Sequence, residues 1–467
     1  MGKTNYIHRF LARFVIEAKT PLAVGSGEKD ITTDALVATD VNGLPYIPGT
    51  AIAGVVRSMI GEESAKTFFG YQVPGKKKDG KGSEIIFTEA KILNSNGKVV
   101  DGLNIDAIDN DTLLKEYKEL PIRQHARISE KGVTVKGGKF DEQVVFAGTR
   151  FCFELEMVSV KEKNSDFESV LSQINNKTFR IGGGTRCGFG EIEVVEMQRA
   201  KLDLSKPEDL DLYLDKSSNL SEDWNGWQRD ENIEKETLST DWQEYKLSLQ
   251  PEDFFLFGSG FGDEDVDMTP VKARKVVWED GEGRLFDKMV LIPATSVKGA
   301  LSHRVAFHWN KLNGYYAGNP EAKVGKDNFA VKTLFGSEGE KDGEGQLRGN
   351  VIFSDIIEKR NVEDKILNHV AIDRFTGGAM DGALFSEKTT YVREKDKPFE
   401  MTILVKNEML SKKDKKNVTV GDALEVALQD ICKGMLPLGG GVNRGNGIFS
   451  GTLKRGEEVI YPKDGGQ

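Results

Sequence analysis

Leu44-Pro45-Tyr46-Ile47-Pro48-Gly49-Thr50, with Gly54 shortly behind it, decides the fold because the chain repeats it as Ile292-Pro293-Ala294-Thr295-Ser296-Val297-Lys298-Gly299. In the first copy the proline turn leads into Ile52, Val55, Val56 and Ile60, apolar residues at helical spacing. That pattern predicts a helix beginning at Pro48-Gly49-Thr50. Other landmarks repeat around it in the same order. Gly25-Ser26-Gly27 and Gly258-Ser259-Gly260 come before, and Phe68-Phe69-Gly70 and Leu334-Phe335-Gly336 come after. Ile85-Ile86-Phe87-Thr88-Glu89 then faces Val351-Ile352-Phe353-Ser354-Asp355, and His125-Ala126-Arg127-Ile128 faces His369-Val370-Ala371-Ile372-Asp373-Arg374. Each half closes on a glycine cluster, Gly182-Gly183-Gly184-Thr185-Arg186-Cys187-Gly188-Phe189-Gly190 in one and Gly439-Gly440-Gly441-Val442-Asn443-Arg444-Gly445-Asn446-Gly447 in the other. Repeats this long each need a core of their own, so they are two copies of one fold and not a solenoid.

The copies differ in one measurable way. Gly25 and Gly258 lie 233 residues apart and Ile47 and Ile292 lie 245 apart, so the second copy carries about 12 extra residues between these landmarks. The expected division is a first domain over 1–200, a linker over 201–240 with few aliphatics, and a second domain over 241–467. Trp224 and Trp227 are expected to dock the linker onto a domain. Strands are expected at Phe10–Ala18, 84–93, 151–158 and from Glu191 to Met197, around the helix at Pro48 and a second helix. Strand, helix, strands, helix and strand give an α+β fold: two tandem ferredoxin-like domains with long insertions. The charged, glycine-rich stretches 74–82 and 336–343 are expected to be mobile loops.

At 467 residues the chain exceeds one ordinary core, and 51 glycines put that residue near 11%, above the usual ~7% without a collagen-like period. No apolar run is long enough for a membrane span, and the first residues show no apolar signal core, so a cytoplasmic protein off the membrane is expected. Cys152, Cys187 and Cys432 are far apart and form no zinc spacing, which fits reduced thiols. A net charge of −10 argues against indiscriminate nucleic-acid binding while leaving room for a local basic groove.

Chemistry is expected at the repeated loops. A helix that starts at a turn offers free N–H groups and a dipole that both favour an anion, which singles out Gly49 and Thr50, and Thr295 in the second copy. Arg57, Lys298 and Arg304 add positive charge along the same helices. Gly183 with Arg186, and Gly440 with Arg444, combine exposed amides with a guanidinium, a pairing suited to phosphate. The alternative is that these glycines only make tight turns.

These residues, in this order and twice over, resemble the RAMP superfamily of CRISPR-associated proteins, specifically backbone subunits of type III effector complexes. A fusion of two such subunits looks like the tandem backbone proteins of some type III-D-like systems. The resemblance implies an RNA-recognition-like core that grips guide CRISPR RNA along its backbone. It also implies a thumb hairpin in each copy, near 125–148 and 369–392, that interrupts the guide–target duplex. By position, His125, Arg127, His369, Arg374 and Phe375 would meet RNA, with Phe140, Val144, Met380 and Leu384 as wedge candidates. In this family a loop aspartate cuts the complementary target RNA. The matching residues are Asp34, nine past Gly25, and Asp267, nine past Gly258. The resemblance implies that each works with Mg2+ or another divalent ion, leaving a 2′,3′-cyclic phosphate and a 5′-hydroxyl. Other type III effector subunits are the implied partners.

Two alternatives stay open: a structural RNA-binding subunit whose aspartates are inert, and a guide-processing endoribonuclease. The latter class commonly uses a histidine base, and none of His8, His125, His303, His308 and His369 has a clear catalytic neighbourhood in the sequence.

Overall fold

The computed structural model describes residues 6–29, 33–73, 80–230, 237–337, 347–393 and 397–462. Most of the two expected mobile loops, 74–79 and 338–343, lies outside these residues. The fold is α+β, built on two main antiparallel sheets.

The first sheet is centred on the strand His8–Ala18, which pairs antiparallel with Arg150–Ser159 on one side and Ile192–Asp203 on the other. Ile85–Phe87 completes the edge beyond Arg150–Ser159. Period-two alternation explains the strand: Phe10, Ala12, Phe14, Ile16 and Ala18 all point into one core. Helices Gly49–Met59 and Asn164–Ile174 close that core with Ile52, Val56, Phe167, Val170 and Leu171. The second sheet repeats the scheme. Trp242–Pro251 lies between Phe399–Lys406 and Phe449–Arg455, with Val351–Phe353 at the far edge. Helices Ala294–Leu312 and Val420–Cys432 pack Val297, Leu301, Val305, Leu424, Leu428 and Ile431 against it. Each fully buried Leu or Phe of this kind contributes about 1.5–3 kcal/mol.

Between the sheets the chain is ordered over most of its length. The strand Ile192–Asp203 runs past residue 200, Pro207–Leu214 is helical, and Gln228–Arg229 adds a further strand to the first sheet. Trp224 is buried with Leu11, Ala200 and Leu202 on the sheet face opposite the main core, and its Nε1 donates to the Leu212 carbonyl at 2.9 Å.

A hairpin projects from each copy, Ile122–Ile128 with Thr134–Gln143 and Val362–His369 with Phe385–Val392. The stretch of the second copy that carries the extra residues forms another hairpin, Lys272–Glu279 with Glu282–Ile292, and this one clasps the first copy. Val276 is fully buried in the first copy's core, and Ala147 of the first copy is buried among Met289, Leu291 and Ile357. Trp278 donates its Nε1 to the Gly148 carbonyl at 2.8 Å while the Arg150 guanidinium lies 4.3 Å from its ring centre. Gly148 has φ +80°, and a Cβ there would meet the Val276 carbonyl oxygen at 1.8 Å, so the contact demands glycine.

Candidate functional site

Asp34 and Asp267 occupy equivalent places. Each sits in an exposed loop against the second strand of its own hairpin, near the base of the first hairpin and at the loop end of the second ladder, where Ala35 bridges Glu142 and Met268 bridges Glu387 in parallel fashion. The Asp141 N–H donates to Asp34 Oδ2 at 3.2 Å, and the Ser386 N–H donates to Asp267 Oδ2 at 2.8 Å. Next to each aspartate is a histidine–glutamate pair within the hairpin. His125 Nε2 lies 2.8 Å from Glu142 and its ring stacks on Phe140 at 4.6 Å. His369 Nε2 lies 3.1 Å from Glu387 and its ring stacks on Phe385 at 4.9 Å. Aspartate, histidine, glutamate and phenylalanine thus recur together at both hairpins. The two glutamates had no motif around them in the sequence. Their signal was the near-constant spacing from His125 to Glu142 and from His369 to Glu387.

The glycine loops share one backbone pattern: Gly182, Gly184, Gly188 and Gly190 take positive φ, as do Gly439, Gly441, Gly445 and Gly447. Gly183 donates its N–H to the Ala23 carbonyl at 2.7 Å and Gly440 donates to Leu256 at 2.6 Å, so these amides are spent inside the fold. The register does not make the two arginines equivalent. Cys187 and Arg444 are equivalent, each donating its N–H to the first carbonyl of its turn, Gly184 or Gly441. Arg186 therefore matches Asn443. Its Nε donates to the Gly349 carbonyl at 3.1 Å and its guanidinium lies over Trp242, where burial and the neighbouring Arg348 and Arg180 push its pKa down to about 10. Arg444 turns inward to Glu387 at 2.5 Å.

The helix starts diverge as well. In the second copy the anion expected at the Ala294 N-terminus is the protein's own Asp355, whose Oδ1 accepts from the Ala294 N–H at 2.8 Å. Arg123 of the first hairpin pairs with its other oxygen, and burial nonetheless raises the Asp355 pKa. Gly188 lies against the same carboxylate: with φ +114°, its Cβ would come within 2.4 Å of Asp355 Oδ1. Lys298 reaches Cys187 Sγ at 3.4 Å across this joint, and Thr295 lies in the first turn beside it. Arg304 is not a free cation; it shares Asp430 with buried His308 at 2.5 and 2.6 Å. In the first copy Thr50 and Arg57 are exposed, with Gly49 beginning the helix. The residue matching Asp355 is Glu89, which pairs with Lys91 at 2.7 Å.

At the hairpins, Arg127, Phe140, Arg374, Phe375, Met380 and Leu384 are exposed, and Phe375 is 99% so. Val144 is the exception among the wedge candidates: it is buried with Ala23 and Phe189 and belongs to the core. Among the described residues no three His, Cys, Asp or Glu side chains gather as a metal site, and no helix is long and apolar enough to cross a membrane.

Comparison with known proteins agrees with the duplication. The family model described as the RAMP superfamily matches residues 15–193 and again 256–450. The chain is also 28% identical over 199 residues, 38% of this chain and 75% of the relative, to a protein of Methanocaldococcus jannaschii named CRISPR system Cms endoribonuclease Csm3.

Proposed function

Because the chain belongs to the RAMP superfamily in two tandem copies, we propose that it is a guide-RNA-binding backbone subunit of a type III CRISPR effector complex that cleaves complementary target RNA. The observation that carries this reading is the doubled constellation of loop aspartate, hairpin strand and His–Glu pair. The Csm3-named relative supports an endoribonuclease assignment. In each copy the four main strands share one antiparallel order, with the first strand in the middle beside the last and the third, which supports the ferredoxin-like, RNA-recognition-like reading.

The hairpins would act as the thumbs. Phe375, with Met380 and Leu384, offers an apolar tip that separates stacked bases, and stacking of a base on an aromatic is worth about 1–3 kcal/mol. The tip is pre-shaped: the Asp373 carboxylate accepts from the N–H groups of Phe375 and Thr376, bonds that hold its pKa below the usual carboxylate range. Arg374, Arg127, Lys298 and the Arg186–Arg348 pair would supply the cationic groups along the guide, inside an otherwise acidic surface. His125 and His369 would hold the hairpins through their glutamates.

A divalent ion fits the first copy. Asp34 is exposed, and Asp141 Oδ1 beside it is buried with no hydrogen-bond partner among the described residues. Two carboxylates plus substrate phosphate are a common Mg2+ ligand set, and the ion would supply electrostatic stabilisation of the reacting phosphate. Asp34 would orient the ribose at the nucleotide that the hairpin displaces. The 2′-oxygen then forms a bond to phosphorus, its proton passes to solvent, and the bond to the 5′-oxygen breaks with proton uptake. The products are a 2′,3′-cyclic phosphate and a 5′-hydroxyl. The test is cleavage mapping with the chain assembled with its partner subunits, guide and end-labelled complementary RNA. We expect Asp34→Ala to remove one cut, by a factor of about 10² or more, while guide and target binding persist. An unchanged pattern would make the chain a structural subunit. Chelator-resistant cutting of the repeat transcript would make it a processing enzyme.

A further inference from the structure

The two loop aspartates are equivalent in place but not in what holds them. Asp267 Oδ2 accepts from both the N–H and the hydroxyl of Ser386, at 2.8 and 3.1 Å. In return the Asp267 N–H donates to the Ser386 carbonyl at 3.1 Å, with the hydroxyl also 3.3 Å away. Among the described residues Asp34 receives only the Asp141 N–H, at 3.2 Å. Beyond that backbone bond, the difference comes from one side chain. Where the second copy has the hydroxyl of Ser386, the first has the carboxylate of Asp141, and an ionised carboxylate accepts hydrogen bonds but cannot donate one.

The surroundings of Ser386 stiffen this arrangement. Glu387, the next residue, has a wholly buried side chain bonded to His369, Asn446 at 3.2 Å and Arg444, whereas Glu142 is paired with His125. On the following residue, Lys388 pairs with Asp263 at 2.6 Å. Three consecutive hairpin residues are therefore fastened either to the 263–268 loop or to the glycine loop. In the first copy the matching hairpin residue brings a second carboxylate to Asp34 instead of a clip.

From this we infer that Ser386 is a positioning residue that ties down Asp267, so that the second copy's aspartate fastens its hairpin and the two copies cut target RNA unequally. Serving a phosphate-bound ion or a ribose through Oδ2 requires Asp267 to give up two hydrogen bonds, while Asp34 gives up one long one. The rate consequence rests on the nuclease reading above; the tether itself does not.

Two measurements on the full chain decide it. In cleavage mapping on the assembled complex, the cut assigned to the first copy by its loss in Asp34→Ala should be about tenfold faster than the other, the scale of one hydrogen bond to a charged group. Ser386→Ala should speed the slow cut several-fold without altering the fast one, a split that a general loss of hairpin order does not produce. Equal cuts in the unmodified chain, or a slow cut indifferent to Ser386→Ala, would overturn the inference. The second measurement is amide hydrogen exchange on the unassembled chain. Asp267→Ala should deprotect residues 385–392, whereas Asp34→Ala should leave 134–143 nearly unchanged. Equal deprotection by both substitutions would refute the tether even if no RNA is cut. If no RNA is cut by any variant but exchange differs as stated, the nuclease reading fails and the tether stands.

Discussion

His308 shows how far a single residue's surroundings can depart from its sequence context. It is buried between the helices Ala294–Leu312 and Val420–Cys432, and burial lowers its pKa despite the Asp430 carboxylate 2.6 Å away. The nearby Arg304 guanidinium and Lys311 push in the same direction. A histidine whose folded pKa lies below its unfolded value binds fewer protons when folded, so stability rises with pH through that window. As pH falls below the ordinary histidine value near 6.5, the chain should lose stability that His308→Gln retains. Denaturant midpoints measured from pH 7.5 down to 5 check this, with a flatter pH profile expected for the variant. At this scale the loop aspartates were legible, because equal spacing from the Gly-Ser-Gly turns survives in both copies. The arginines were not. Each glycine cluster carries an arginine, but the backbone turn matches Arg444 with Cys187, so the two arginines are not equivalent. Glycine conformation fixes that register, and no property of an arginine side chain reports it.

Among the elements, the clasp of Lys272–Glu279 and Glu282–Ile292 illustrates what an insertion hides. That extra residues lie here was readable from the offset between landmarks, but their use was not, since a hairpin's own alternation does not say whose core it enters. Val276 and Trp278 enter the first copy's. Trp278→Ala removes the bond to Gly148 and the ring beneath Arg150. Because the ring is only partly buried, the expected loss is roughly 2–3 kcal/mol, below the ~3–5 of a fully buried aromatic. Urea unfolding should show that drop, and hydrogen exchange should rise at 147–152 in the first copy, not merely in the hairpin itself. Strands such as His8–Ala18 and helices such as Gly49–Met59 were predictable because their apolar residues recur at the strand or helix period. The His–Glu pairs were not, because Glu142 and Glu387 are single polar residues that meet His125 and His369 only once the hairpin strands are in register.

For the molecule as a whole, the decisive feature is that the two copies do not behave as beads on a linker. The joint is head to tail: the first copy's glycine loop and hairpin meet the second copy's helix start, through Gly188, Cys187 and Arg123 against Asp355, Ala294 and Lys298. The clasp adds shared apolar core on another part of the same boundary. With both terms in place, neither copy can lose its fold without exposing apolar surface of the other, so thermal unfolding of the full chain should be a single transition. Arg123 is the residue to remove. Asp355 is 2% exposed at its side chain, and stripping its cation leaves a buried carboxylate whose pKa burial already raises. Breaking such a pair from one side costs about 3–5 kcal/mol. Calorimetry of Arg123→Ala should therefore show either a lowered single peak or two resolved peaks at neutral pH. Part of the loss should be recovered at lower pH, where Asp355 takes up a proton and its uncompensated charge disappears. Asp355→Asn in the same background should recover it at neutral pH, because the amide oxygen can still accept from Ala294. An Arg123→Ala chain as stable as the original would mean that the clasp alone holds the copies together.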